Sequence, residues 1–311
     1  MRAGLALAVT GARVASVTVF DTRSLRRHLG PSEDFIERMT GRTLHSAVRR
    51  GKFLWFPLSL RGPELSLRGP EPEALVAHLG MSGQVLLRDR QTDDALTRIR
   101  LDLEHPALGP LRLNFVDQRI FGSMAIDTLV PTADGFPGGF AGAGLLSSAT
   151  VTTGLTAAAL VPSQVAHIAR DPLDPAFDDA LFLRRLAARK TGVKRAILDQ
   201  TLLSGIGNIY ADEALWAARI HFDQSTATLS RPRAKLLLAE VRAVLFRALR
   251  EGGTSFDAQY VNVNGASGYF SHSLNAYGQH GNACPRCGRV IVRESFMNRG
   301  SHFCAFCQRV R

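Results

Sequence analysis

The chain has no cysteine before residue 284 and no run of eighteen apolar residues anywhere in its 311. The second absence excludes a membrane-spanning helix. The first excludes a disulfide framework spread through the fold. Acidic residues are also in deficit: 27 Asp and Glu face 38 Lys and Arg, a formal charge of +11, with a pI near 10.3. Such a chain suits a polyanion better than a neutral ligand, the alternative being a basic surface with no partner. The opening "MRAGLALAVTGAR" has an apolar part of only about eight residues before charge returns at Arg13, which is weak for a secretion signal. What is present is 45% apolar residues, enough for real cores, in a length that suggests two domains and a small appendage.

Residues 13–125 read as strands. "RVASVTVF" alternates around Val17 and Val19, and "GKFLWFPLSL", "EALVAHLGMSGQVLL", "LTRIRLDLE" and "LRLNFVD" are short runs broken by Gly and Pro. That pattern predicts a sandwich or barrel. The stretch 130–165 is rich in Gly, Ala, Ser and Thr and reads as a linker. From Asp178 the period becomes helical. "DDALFLRRLAARK" is amphipathic with a basic side, and "RPRAKLLLAEVRAVLFRALREGG" puts Leu237, Val241, Val244, Leu245 and Ala248 on one face. Ser230 is placed to cap that helix, Pro232 fits its first turn, and Gly252–Gly253 end it. No internal repeat of fixed period is present.

All four cysteines fall in "CPRCGRVIVRESFMNRGSHFCAFC": Cys284 and Cys287, then Cys304 and Cys307. Each CxxC turn brings two thiolates to one tetrahedral ion, and two such turns close a four-cysteine zinc site. A redox pair or disulfides fit less well, because the second CxxC sits at ribbon spacing and no βαβ pattern is nearby. The intervening residues can form a hairpin, and a closed site leaves the metal structural. Arg289, Arg293, Arg299 and Arg309 ride on this hairpin, within reach of a phosphate backbone. Further upstream, "GIGN" predicts a tight turn before a helix starting near Asn208, where free N–H groups bind phosphate. Arg189, Lys190 and Lys194 precede it and can share one basic face. An ordinary interhelical turn is the alternative.

In order along the chain, "GKFLWF", "HLGMSG", "DQRIFG", "QTLLSGIGNIYADEALWAARIHF", "GYFSHSLNAYG" and the terminal four-cysteine hairpin resemble the formamidopyrimidine-DNA glycosylase / endonuclease VIII family, in its formamidopyrimidine branch. The resemblance runs from Arg2 to Gln308. It implies an α+β multidomain fold: an N-terminal β-sandwich, then a C-terminal helix–two-turn–helix domain ending in a four-cysteine zinc-finger hairpin, with DNA in a basic cleft between them. The corresponding expectation for boundaries is a sandwich over 1–130, a linker over 131–170, the helical domain over 171–260 and the zinc hairpin over 261–311. It implies base-excision repair of damaged double-stranded DNA: an oxidised purine such as 8-oxoguanine or a formamidopyrimidine is flipped out and excised. The strand is then cut at the abasic site by β- and δ-elimination. It implies one structural Zn2+, a monomer, and a bacterial cytoplasmic location at the nucleoid.

Residue by residue, Met81, Arg119 and Phe121 match the family's wedge, which fills the hole left by the flipped base. Read without the resemblance, Met81 and Phe121 are core residues. Lys52 matches a strand lysine that contacts phosphate and assists elimination, and Arg299 a hairpin arginine with a similar role. Asn208 matches a phosphate-binding asparagine. Arg189 falls at a basic DNA contact, and Lys194 is assigned to the same DNA-binding face. The chain departs from the family in three places. Leu96 stands where the family carries a DNA-touching histidine, so that contact is expected to be absent. Gln118 and Ile120 replace a proline and an arginine of the wedge loop. The family opens on Met-Pro-Glu, whose proline amine attacks C1′ and whose glutamate acts as acid and base. This sequence opens "MRAGLALAVTGARV", and Pro63–Glu64 and Pro70–Glu71 are internal, so their nitrogens are amides. Two expectations follow: a true start further upstream that restores the enzyme, or a lesion-binding protein without glycosylase chemistry. A zinc-ribbon protein of transcription or translation is a more distant third, since a ribbon does not explain the upstream motifs.

Overall fold

The computed structural model describes residues 2–60, 71–141, 159–251 and 273–310. Pro63–Glu64, Pro70, Gly252–Gly253 and the start of "GYFSHSLNAYG" lie outside the described residues. The chain divides after His167 into two compact units.

The first unit opens on helix α1 (Arg2–Val9), then strand β1 (Arg13–Val19), helix α2 (Ser32–Met39), and strands β2 (Val48–Arg50), β3 (Phe53–Pro57), β4 (Glu73–His78) and β5 (Gln84–Arg88). Strands β6 (Thr97–His105), β7 (Gly109–Val116), β8 (Ser123–Pro131) and β9 (Leu160–Pro162) complete it. They form two antiparallel sheets, β1-β6-β7-β5 and β2-β3-β4-β8-β9. The period of two decides which side chains meet between them. Along β6, Ile99, Leu101 and Leu103 are buried, while Arg98, Arg100 and Asp102 face outward into ion pairs or hydrogen bonds. Opposite lie Leu54, Phe56, Leu75, Ala77, Met124 and Ile126, with Leu5 and Val9 of α1 and Phe35 and Met39 of α2 in the same core. Each such Leu, Ile, Val, Phe or Met side chain contributes about 1.5–3 kcal/mol on burial. Parts of the stretch read as a linker are tied to the sheet by backbone hydrogen bonds: β9 pairs with β8, and Phe140 exchanges bonds with Arg49.

This topology has one consequence for the site. β4 pairs with β8 in one sheet, and β5 pairs with β7 in the other. The β4–β5 and β7–β8 connections both cross between sheets, so they run side by side at the same end of the sandwich. The β2–β3 turn joins them, because Leu79 N donates to Lys52 O at 3.1 Å.

The second unit holds helices α3 (Asp179–Ala188), α4 (Val193–Leu198), α5 (Asn208–Ala217) and α6 (Arg231–Arg250), then the hairpin β10 (Val292–Phe296) and β11 (Arg299–Phe303). Turns through residues 199–207 join α4 to α5, giving the helix–two-turn–helix arrangement. Leu237, Val241, Val244 and Ala248 of α6 are buried, with Leu245 packed beside them, as the helical period requires. Ser230 occupies the N-cap position, but its hydroxyl makes no capping hydrogen bond, contrary to the sequence expectation. Among the described helices, none is long and apolar enough to cross a membrane.

Candidate functional site

In the first unit the two crossing loops touch backbone to backbone. Gly80 adopts φ +57, and a Cβ there would lie 2.6 Å from the Phe121 carbonyl carbon. Only glycine satisfies both conditions. Asp117, fully buried, organises the second loop: its carboxylate accepts from Ser82 Oγ at 2.5 Å, Gly122 N at 2.6 Å and Arg119 N at 3.2 Å. Arg26 donates to the carbonyls of Ile120, at 2.7 Å, and Phe121. Ile120 is held at φ 54, a left-handed conformation that a branched residue rarely adopts. The replacement of a family arginine by isoleucine thus falls on the strained corner of the loop.

Both loops display what the rest of the fold hides. Met81 is 56% exposed and Phe121 47% exposed, with Arg119 exposed between them in sequence. Read without the resemblance, both apolar residues belong in the core, and the structure corrects that. Lys52 is exposed on the adjoining turn. His78, paired in register with Phe53, was not singled out from the sequence. Burial, with the charges of Arg27, Lys52 and Arg26, lowers its imidazole to about 4, so it is neutral at pH 7. Its Nδ1 is buried without a hydrogen-bond partner. Leu96 sits next to this region at φ 64, its carbonyl accepting from Asp117 N at 3.3 Å.

In the second unit, Asn208 is the first residue of α5, and its Nδ2 donates to Gly300 O at 2.9 Å. That bond sets the α5 N-terminus beside Arg299, which is exposed at the start of β11. Asn208 Oδ1 is buried with no partner. Arg189 is the C-cap residue of α3, its guanidinium on Asp199 at 2.5 Å.

Lys194 departs from the expected basic face. Its side chain is 0% exposed and contacts Asp212 at 2.6 Å, Ser301 Oγ at 3.0 Å and the Phe296 ring at 4.8 Å. It therefore presents no charge at the surface. Instead it ties α4 and α5 to the hairpin strand that carries Arg299. Burial pulls its ammonium below the ordinary lysine range and the Arg299 charge adds to that, while Asp212 pulls it back up. Asp212 also accepts from His302 N at 2.9 Å. Next to it, buried Glu213 accepts from the backbone N–H groups of Asn275, Ala276 and Tyr277, at 2.8–3.0 Å. Neither acid was read from the sequence, although two adjacent carboxylates in the apolar helix "NIYADEALWA" were the available signal.

The four cysteine sulfurs lie within 4.8 Å of one another, a donor set that fits one tetrahedral Zn2+. Burial alone would raise the Cys284 thiol. The Trp216 indole N–H, 3.4 Å from Cys284 Sγ, and the N–H groups of Arg286 and Cys287 outweigh burial and bring it to about 6. N–H donors that stabilise thiolate also suit a metal-bound sulfur. Gln308, buried, donates to Ile220 O and accepts from Cys304 N, both at 2.9 Å, locking the second knuckle to the helices.

Three family models cover most of the chain. Residues 1–124 match the formamidopyrimidine-DNA glycosylase N-terminal domain, and 168–259 the formamidopyrimidine-DNA glycosylase H2TH domain. Residues 281–310 match the zinc finger found in FPG and IleRS. A formamidopyrimidine-DNA glycosylase of Leifsonia xyli subsp. xyli is 60% identical over 311 residues, spanning 100% of this chain and 97% of its own. A crystal structure of the Lactococcus lactis Fpg with DNA containing an abasic site superposes with TM-score 0.72 at 25% identity, covering 99% of this chain and 96% of that one. A structure of MutM with DNA containing carbocyclic 8-oxo-G gives the same score, identity and coverage. The chain belongs to the formamidopyrimidine-DNA glycosylase family.

Proposed function

We propose that this protein excises oxidised purines, 8-oxoguanine and formamidopyrimidines among them, from duplex DNA and then cuts the strand at the abasic site. One observation carries the reading: two glycine-locked loops at one sandwich end hold Met81 and Phe121 in solvent, with Arg119 alongside. An apolar pair exposed on rigid backbone is costly in water and suited to replacing the stacking of an extruded base. Arg119 supplies donors for the base left opposite. Lys52 in this unit, and Asn208, Arg189 and Arg299 in the other, take phosphates as charge-assisted or helix-terminal donors. Lys194 acts from beneath, through Ser301 and Asp212. The zinc ion, held by the four cysteines, keeps the hairpin rigid and enters no chemical step. In the family the nucleophile is a terminal proline amine, which the opening "MRAGLALAVTGARV" does not hold and a start further upstream would supply. Its attack at C1′ releases the base and forms an iminium, loss of the C2′ proton then expels the 3′ phosphate, and δ-elimination expels the 5′ phosphate. We place the protein as a monomer in the bacterial cytoplasm.

The test uses protein recovered from its own locus and a duplex with one 8-oxoguanine. Strand cleavage, with a covalent adduct trapped by borohydride, supports the reading. Tight binding to the lesion with neither product nor adduct selects the binding-only alternative.

A further inference from the structure

Each knuckle of the zinc site carries an arginine two residues beyond its second cysteine: Arg289 after Cys287, Arg309 after Cys307. The structure brings both to one ring. The Arg289 guanidinium carbon lies 3.5 Å, and that of Arg309 4.8 Å, from the centroid of Phe306. The two cations are therefore within about 8 Å of each other, close enough for one phosphate to accept from both. Phe306 is 42% exposed, and both arginines are exposed. Between residues 281 and 310 the only acid is Glu294, against five arginines. Among the described residues neither Arg289 nor Arg309 has a carboxylate partner. Arg286, by contrast, is engaged: it lies over Trp216 at 4.1 Å and donates to the Trp216 carbonyl at 2.9 Å.

We infer that Arg289, Phe306 and Arg309 form a second phosphate clamp on the zinc module, separate from Arg299, for the DNA backbone flanking the lesion. This rests on the reading of the chain as a DNA-binding repair protein. A cation–π contact fixes a guanidinium without neutralising it, so its N–H edge remains open to an oxygen. Two like charges held on one ring repel each other, and a phosphate between them removes that cost. The zinc-bound turns fix both arginines, which lowers the entropy lost on binding. Along β11, Arg299 is separated from Phe303 by about 13 Å of extended chain. Phe306 follows beyond the end of that strand, and the clamp is assigned a phosphate of its own.

The experiment measures affinity for an 8-oxoguanine duplex against salt concentration, with zinc content verified for every variant. Arg289→Gln/Arg309→Gln should lower the slope of log K against log salt by about 0.9, the contribution of one phosphate, and each single change by less than that. Lys235→Gln, an exposed cation on α6 remote in sequence, controls for general charge and should leave the slope nearly unchanged. Methylphosphonates placed one at a time along the duplex should reveal a position that weakens wild-type binding but not the double variant. An unchanged slope in the double variant overturns the clamp, as does a fall with no such position. Failure of the wild type to bind the duplex at all would instead sink the repair reading itself.

Discussion

Replacing Lys194 by methionine removes the charge and keeps an unbranched side chain of similar length. Lys194 and Asp212 are 0% and 1% exposed at the side chain and 2.6 Å apart. Removing one partner of a buried pair costs about 3–5 kcal/mol, because the other charge is left without its counterion. Here Asp212 keeps the His302 N–H at 2.9 Å and Ser301 Oγ at 3.3 Å, and it can also relax by taking a proton. Both effects push the expected loss to the lower edge, about 3 kcal/mol, still a large share of a stability of about 5–15 kcal/mol. In urea, at a slope of about 2 kcal/mol/M, the midpoint should fall by about 1.5 M. Trp216 lies in the same unit and reports the transition by fluorescence. The double variant Lys194→Met/Asp212→Asn should recover to within about 1–2 kcal/mol, since the amide still accepts from His302 and no charge is stranded. A single Lys194→Met variant within about 0.5 kcal/mol of wild type would refute the reasoning, since an exposed lysine behaves that way.

His78 titrates near 4 in the fold against 6.5 ordinarily, so the unfolded chain binds more protons between those values. Its contribution to stability is present above pH 6.5 and declines as pH falls toward 4. Between pH 7 and 5 the full shift corresponds to about 2 kcal/mol; solvent screening at this half-buried site brings the expected loss to about 1 kcal/mol, and melts of His78→Gln should lack it. Gly80→Ala meets both a 2.6 Å clash with the Phe121 backbone and a left-handed φ; a loss of about 3 kcal/mol is expected in denaturant titrations, together with slower lesion cleavage. Met81→Ala, at a site 56% exposed, should change stability by less than about 0.5 kcal/mol while reducing excision at least tenfold in single-turnover assays. Chelation of zinc should shift Trp216 emission, because its indole N–H bonds Cys284 Sγ, and leave Trp55 of the first unit unchanged when Trp216 is replaced by Phe.

What could be read from the chain depended on how local each feature is. The zinc ligands were legible because a CxxC turn defines its own geometry, and sixteen intervening residues are enough for a hairpin. The face of α6 was legible because Leu237, Val241, Val244 and Ala248 recur at the helical period. Met81 and Phe121 were legible only through the motifs around them. Their exposure comes from the β4·β8 and β5·β7 pairings, which bring together loops that are about forty residues apart and leave apolar tips outside the core. Lys194 shows the opposite failure. Three nearby cations suggested one solvated basic face, yet the third lies in the interior because Asp212, eighteen positions later, waits there. Charge along a sequence therefore says little about exposure until partners are assigned. The clue was in "NIYADEALWA": two acids in an apolar helix with no basic residue within a turn. A buried carboxylate without a local cation must draw its donors from elsewhere. Asp212 takes Lys194 and the hairpin, and Glu213 takes three backbone N–H groups of 275–277. Those two acids thereby fix where the hairpin and its Arg299 sit against α5.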